Sequence, residues 1–203
     1  MSEFDNKARD WDKNQRHIDR SEAIAKAMLK TVPLHKDMKA LEFGSGTALL
    51  SFILRKEFAD ITLMDNSQEM TQVTKEKIAG ESIKNMKPLF FDLEKEDFHG
   101  TFDIIYTQMV LHHVGDIDAI FRKFSTLLNS GGYLAIADLY TEDGSFHGEG
   151  FDGHRGFDVE ILAGKLNSIG FKNTRHHQCY ILDKEDETGL TKSYPIFLLT
   201  ASR

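Results

Sequence analysis

The segment running from Met38 to Leu54 constrains this chain more than any other. Met38 to Phe43 is a short apolar run, Gly44-Ser45-Gly46 interrupts it, and Leu49, Leu50, Ile53 and Leu54 resume at helical spacing. A buried strand, a glycine turn and a helix are predicted in that order. Glycines at such a junction let backbone amides come close to a ligand, although a tight strand-helix turn without a ligand needs the same residues.

The pattern repeats along the chain. Ile61 to Met64 ends in Asp65, with Ser67 placed to cap a helix running to about Ile78; Pro88 to Phe91 ends in Asp92. Phe102 to Tyr106 leads to Leu111-His112-His113, and Asp116 can cap a helix carrying Ile117, Ile120, Phe121, Phe124, Leu127 and Leu128. Gly131-Gly132 is expected to break that helix before a fifth strand, Tyr133 to Ala137, which ends in Asp138. After a glycine-rich stretch, a helix from about Asp158 to Ser168 stops at Gly170. Two strand-like runs, Thr174 to Leu182 and Pro195 to Ala201, are joined by the polar Asp183 to Ser193.

Strands alternating with helices predict an α/β fold: a single Rossmann-like domain over residues 1–203, with a mostly parallel seven-stranded sheet, a C-terminal antiparallel hairpin and helices on both faces. Phe4, Ala8 and Trp11, followed by Ile24, Ala27 and Met28, predict an N-terminal helical cap over 1–32.

Composition narrows the setting. A net charge of −7 argues against a nucleic-acid partner, which needs clustered Lys and Arg. No apolar run approaches the roughly 20 residues of a membrane span, and the acidic, polar start predicts no secretory leader. The single cysteine, Cys179, excludes an internal disulfide and fits a reducing compartment, so a cytoplasmic protein is expected.

Ligands of such sheets bind beyond the carboxyl ends of the strands. Glu42 stands two residues before the first glycine, and Asp65 closes the next strand about 20 residues on, where a carboxylate can accept both hydroxyl protons of a ribose. That pairing points to an adenosyl ligand. Leu49 occupies the place of the third glycine of a dinucleotide fingerprint, which weighs against a dehydrogenase.

Taken together, the Glu-x-Gly-x-Gly turn at Glu42 to Gly46, Asp65, Asp92-Leu93, Phe102-Asp103, Leu111-His112-His113 and Gly131-Gly132 resemble the successive landmarks of the class I S-adenosylmethionine-dependent methyltransferases. The resemblance implies S-adenosyl-L-methionine as cofactor, with Gly44, Ser45 and Gly46 along its methionine part and Glu42 orienting the loop or reaching the amine through water. It implies Asp65 on the ribose, Asn66 and Met70 beside the adenine, Asp92 and Leu93 at the adenine edge, and Gln108 near the methionine part. Phe4, Trp11 and Arg16 or Arg20 resemble the segment that closes over the cofactor. The chain departs from the family at Ala48, where a third glycine is usual.

Methyl transfer needs alignment more than a catalytic group. Where the acceptor carries a proton, His112 or His113 is the candidate base. The stretch 138–156 is expected to be a glycine-rich, mobile loop on the substrate side, with Arg155 facing an anionic acceptor or Asp152. Its His, Asp and Glu residues match no metal motif, so no metal is expected. The expected partner is a small-molecule methyl acceptor, because Thr107-Gln108-Met109-Val110 lacks the Asn/Asp-Pro-Pro-aromatic run of base-modifying methyltransferases. A nicotinamide-dependent oxidoreductase and a non-catalytic S-adenosylmethionine-binding regulator are the alternatives.

Overall fold

The computed structural model describes residues 4–185 and 189–203. The first three residues of the expected cap and residues 186–188 of the polar connector lie outside them. Five strands come first along the chain: β1 (Lys39–Phe43), β2 (Asp60–Asp65), β3 (Met86–Phe90), β4 (Phe102–Gln108) and β5 (Leu128–Leu139). With β6 (Lys172–Glu185) and β7 (Thr191–Ser202) they form one seven-stranded sheet in the order β3-β2-β1-β4-β5-β7-β6. All pairings are parallel except those of β7, which is antiparallel to both β5 and β6. The expected hairpin is therefore present, with its second strand inserted inside its first.

Alternation along the central strands builds two cores. Leu41, Ile105, Leu134, Ile136, Phe197 and Leu199 face the side covered by α4 (Ile117–Leu127) and α5 (Val159–Ser168). Ala40, Ile104, Tyr106, Ala135, Ala137, Ile196 and Leu198 face α1 (Gln15–Thr31) and α2 (Leu49–Leu54). Period-two side chains on a sheet buried on both faces demand this split. Each fully buried Leu, Ile or Phe contributes roughly 1.5–3 kcal/mol relative to exposure.

Side-chain caps open three helices, those of Ser67 and Asp116 as the sequence predicts. The side chains of Ser67, Asp116 and Asp158 accept from the backbone amides of Met70, Ala119 and Glu160, opening α3 (Gln68–Gly80), α4 and α5.

The two helical runs of the cap are a 3-10 helix over Asp5–Lys13 and α1, which starts from the extended backbone and side chain of Asn14. One boundary differs from expectation. Gly131 and Gly132 do not stop α4, which ends at Leu127, but lie within β5. A Cβ on Gly132 would sit 2.9 Å from the Asn129 carbonyl oxygen and 3.0 Å from that of Asp103, so glycine there permits the close approach of β4 and β5. Among the described residues, no helix is long and apolar enough to cross a membrane.

Candidate active site

The β1–α2 turn carries three left-handed residues: Gly44 (φ +67°), Gly46 (φ +53°) and Ala48 (φ +62°). Their surroundings separate their roles. A Cβ on Gly44 would lie 2.4 Å from a Val110 methyl, whereas at Gly46 only the Met70 sulfur, 4.0 Å away, comes near. Gly44 is thus a packing requirement against the segment after β4, and Gly46 leaves open space beside the turn. Ala48 shows why a third glycine is usual here: the position needs a left-handed backbone, which costs a non-glycine residue roughly 1–2 kcal/mol. Ala48 bears that cost while fully buried, its amide held by the Ser45 carbonyl oxygen at 2.7 Å.

Two carboxylates brace this turn. Asp65 accepts from the Gly46 amide at 2.7 Å and the Ser67 amide at 2.8 Å, one on each oxygen, so it ties the glycine turn to the start of α3. Burial raises its pKa, these amides oppose the rise, and the nearby Asp5 adds to it. Each oxygen keeps a further lone pair for a hydroxyl donor. Glu42 is wholly buried; one oxygen accepts from the Ser51 hydroxyl, which also meets the Tyr106 hydroxyl at 2.5 Å, while Oε1 has no partner. Burial pushes the Glu42 carboxyl up to about 8. An orphaned buried acceptor, an open glycine turn and a strand-end carboxylate with spare lone pairs fit a ligand carrying an amine and a ribose.

The 3-10 helix lies across this rim. Ser67 donates to Asp5 at 2.6 Å, Thr47 donates to Asp12 at 2.5 Å, and Lys77 reaches Asp12 at 2.6 Å; Arg9 pairs with Glu76 at 3.2 Å. Trp11 is half-buried, its ring 4.2 Å from that of His17 and 6.0 Å from that of Phe4. Arg16 reaches the Asp183 carbonyl oxygen at 3.5 Å. Arg20 is 6% exposed, its Nε has no partner, and burial lowers its pKa to about 10 although Asp138 and Tyr180 pull the other way.

The remaining cofactor candidates divide. Asn66 is exposed and Met70 buried on either side of the Ser67 cap; Ser45 is buried, its amide bonded to the Met64 carbonyl oxygen at 3.0 Å. Gln108 exchanges hydrogen bonds with Ser21 of α1 at 3.1 and 3.3 Å, and the next residue, Met109, is left-handed at φ +55°. Asp92 accepts from the Glu94 amide and from Lys95 at 2.7 Å; partial burial works against its ionisation, but these bonds hold its pKa below the usual value. Leu93 is buried, in the core cluster that also holds the apolar residues of α4.

On the other side of the strand ends stands a group of imidazoles. His112 is 1% and Asp138 0% exposed; Nδ1 of His112 lies 2.6 Å from Oδ1 of Asp138, and the His112 amide is 3.3 Å from Oδ2. A carboxylate only accepts, so this contact calls for the hydrogen on Nδ1 of His112 and directs Nε2 away from Asp138. His113 and His147 sit beside it, with ring centroids 4.3 and 5.1 Å from His112. Burial and the neighbouring histidines lower His113 to about 3 and His147 to about 4. The Phe4 ring meets His113 edge-on at 5.1 Å, which brings the N-terminal segment to this group.

His147 comes from the glycine-rich stretch, whose two ends are held by backbone hydrogen bonds. Thr141 and Glu142 donate to the carbonyls of Phe157 and Arg155, and His154 donates to that of His112 at 2.7 Å. A Cβ on Gly153 would be 2.3 Å from the His112 carbonyl oxygen, and one on Gly156 2.1 Å from that of Tyr140. These glycines serve close backbone approach. Arg155 is exposed, packed over Gly144.

Beyond this geometry, residues 34–149 match the family described as "Methyltransferase domain", more than half of the chain. The chain belongs to that methyltransferase family. S-adenosyl-L-methionine is the cofactor that this family and fold carry, and the nicotinamide alternative loses its footing. An uncharacterized methyltransferase of Schizosaccharomyces pombe is 28% identical over 153 residues, which cover 67% of this chain and 54% of that protein; the chain thus spans about half the length of this curated relative. Among solved structures, a chain of the complex between the Haloferax volcanii Trm112 methyltransferase activator and a putative methyltransferase superposes with a TM-score of 0.78 at 19% identity, covering 100% of this chain and 98% of that one. Phosphoethanolamine N-methyltransferase 2 of Haemonchus contortus, solved with phosphomonomethylethanolamine and S-adenosylhomocysteine, gives 0.73 at 15% identity over 91% of this chain and 52% of that one. These likenesses establish the class I fold of this methyltransferase-family chain.

Sequence reasoning missed Asp138 as a site residue, although the rule that singled out Asp65 and Asp92, an acid at a strand end, applies to it equally. Ser51 and Tyr106 carried no such signal, and His147 stood only among the donors of the glycine-rich stretch, whose spacing matches no metal motif.

Proposed function

We propose that the protein transfers a methyl group from S-adenosyl-L-methionine to a small-molecule acceptor by in-line displacement, releasing S-adenosylhomocysteine. The observation that carries this reading is the division of the rim: the glycine turn with Glu42 and Asp65 on one side, and the histidine group oriented by Asp138 on the other. The cofactor supplies an electrophilic methyl on a sulfonium. Gly44, Ser45 and Gly46, with Glu42, hold its amino-acid end; Asp65 takes the ribose, with Asn66, Met70 and Asp92 around the adenine and Trp11 and Gln108 closing the near side. His112 and His113 face the acceptor and activate it, and the stretch 138–156 forms the acceptor wall.

Three features support a small acceptor. The chain is acidic, the acceptor side is walled by Phe4, Phe146 and Phe151 around the imidazoles, and one fold neighbour was solved with a small phosphorylated amine. The test is titration with S-adenosyl-L-methionine and with NAD, followed by assay of S-adenosylhomocysteine release over a panel of small acceptors. Cofactor binding with release on none of the panel would favour the regulator alternative; preference for NAD would overturn the reading.

A further inference from the structure

Donor atoms of His112, His113 and His147 all lie within 4.8 Å of one another, the one such cluster among the described residues. Two of the three histidines are adjacent in the chain on the short helical turn after β4, and the third arrives from the stretch after β5. Residues packed merely as an aromatic wall have no reason to converge their nitrogens.

We propose that His112, His113 and His147 form a binding site for a divalent transition-metal ion of the zinc type, facing the acceptor side of the cofactor.

Three histidines with a fourth position left open are a recurrent catalytic zinc arrangement, and imidazole suits zinc, copper, iron and nickel better than magnesium or calcium. A ligating histidine needs its other ring nitrogen held by an orienting acceptor. Asp138 does this for His112, buried and 2.6 Å from Nδ1, leaving Nε2 for the ion. His147 is backed by Phe151, whose ring stacks on it at 3.8 Å and limits its swing. Around a tetrahedral ion the nitrogens should approach to about 3.3 Å, so the group, whose nitrogens lie within 4.8 Å of one another, must tighten by up to about 1.5 Å. His147, exposed and outside helix and strand, is the ligand with room to adjust within the limit that its Phe151 stack sets. The open position would receive an acceptor oxygen or nitrogen. That role rests on the methyl-transfer reading, whereas the ion site itself does not.

The test uses the untagged full chain, stripped with a chelator and titrated with Zn²⁺ by calorimetry and with Co²⁺ by visible absorption, without cofactor or acceptor. One ion per chain is expected, with cobalt bands of a four- or five-coordinate nitrogen site. His147→Ala and the His113→Ala/His147→Ala pair should lose this stoichiometry, the exposed His177→Ala should keep it, and Asp138→Asn should weaken binding about 10- to 100-fold. Thermal melts identify variants that remain folded, and His147, outside helix and strand, keeps the test informative where Asp138→Asn fails to fold. Absence of one-to-one uptake by the parent, or uptake that survives in the double variant, overturns the metal site. Metal uptake by a protein that does not bind S-adenosyl-L-methionine would overturn the methyl-transfer reading instead.

Discussion

Asp138 and His112 lie 26 residues apart in the chain, yet the carboxylate of one meets the ring of the other at 2.6 Å in a fully buried contact. The same carboxylate oxygen accepts from the Leu139 amide at 2.7 Å, so the end of β5 and the turn after β4 are locked through a single side chain. One residue thereby sets both the packing of two strand ends and the direction of an imidazole.

Removing that carboxylate should cost stability. Asp138→Ala is expected to destabilise the fold by about 1–3 kcal/mol, the usual consequence of leaving buried hydrogen-bond donors unpaired. His112→Ala and His113→Ala should leave S-adenosyl-L-methionine affinity nearly intact, with at least one lowering turnover. Denaturant titrations and calorimetry measure the two effects separately; an equal loss of cofactor affinity would return the histidines to the cofactor pocket.

Asp65→Ala should weaken S-adenosyl-L-methionine binding by about 1–3 kcal/mol, because charged hydrogen bonds to the ribose are lost. Asp65 also holds the Gly46 and Ser67 amides, so the variant should melt earlier as well. Calorimetry on the folded variant decides: unchanged affinity removes Asp65 from the site.

Gly44 and Gly46 should respond differently to alanine. At Gly44 the new methyl meets Val110 at 2.4 Å, and a loss of fold stability of about 1–3 kcal/mol is expected. At Gly46 backbone strain of roughly 1 kcal/mol should be the main cost, with cofactor affinity falling more than stability does. Equal melting temperatures for the two variants would contradict this division.

Glu42 predicts a pH dependence of stability. Its folded pKa, about 8, lies above the ordinary carboxyl value of 4.5, so between these values the folded state holds the extra proton. Stability falls as protons are removed: the contribution is fully present below about pH 4.5 and is lost as pH rises through 8, on the order of a few kcal/mol in all. Glu42→Gln should flatten this slope in melts between pH 5 and 8. A parent whose melting temperature rises across that window, after correction by the variant, would show that Glu42 is ionised when folded.

Much of this architecture was legible in one dimension. Strand and helix periods are local, and so are the caps at Ser67 and Asp116 and the glycine turn between β1 and α2, because each depends on residues within a few positions of one another. The strand-end rule then placed Glu42 and Asp65 at the rim. Position relative to distant backbone was not legible: Gly132 and Gly153 are glycines because carbonyls of Asp103 and His112 pass within 3.0 and 2.3 Å of where a side chain would begin. Within the glycine-rich stretch, Gly153 and Gly156 are explained by such approaches, which composition alone does not show. Ala48 stands where the family usually has glycine, and only its backbone angle shows what the position requires. The histidine group is the clearest case. His112 and His113 are neighbours by covalent bonding, but His147 and Asp138 join them only because parallel strands β4 and β5 end side by side, a juxtaposition set by long-range packing that no local pattern of residues encodes.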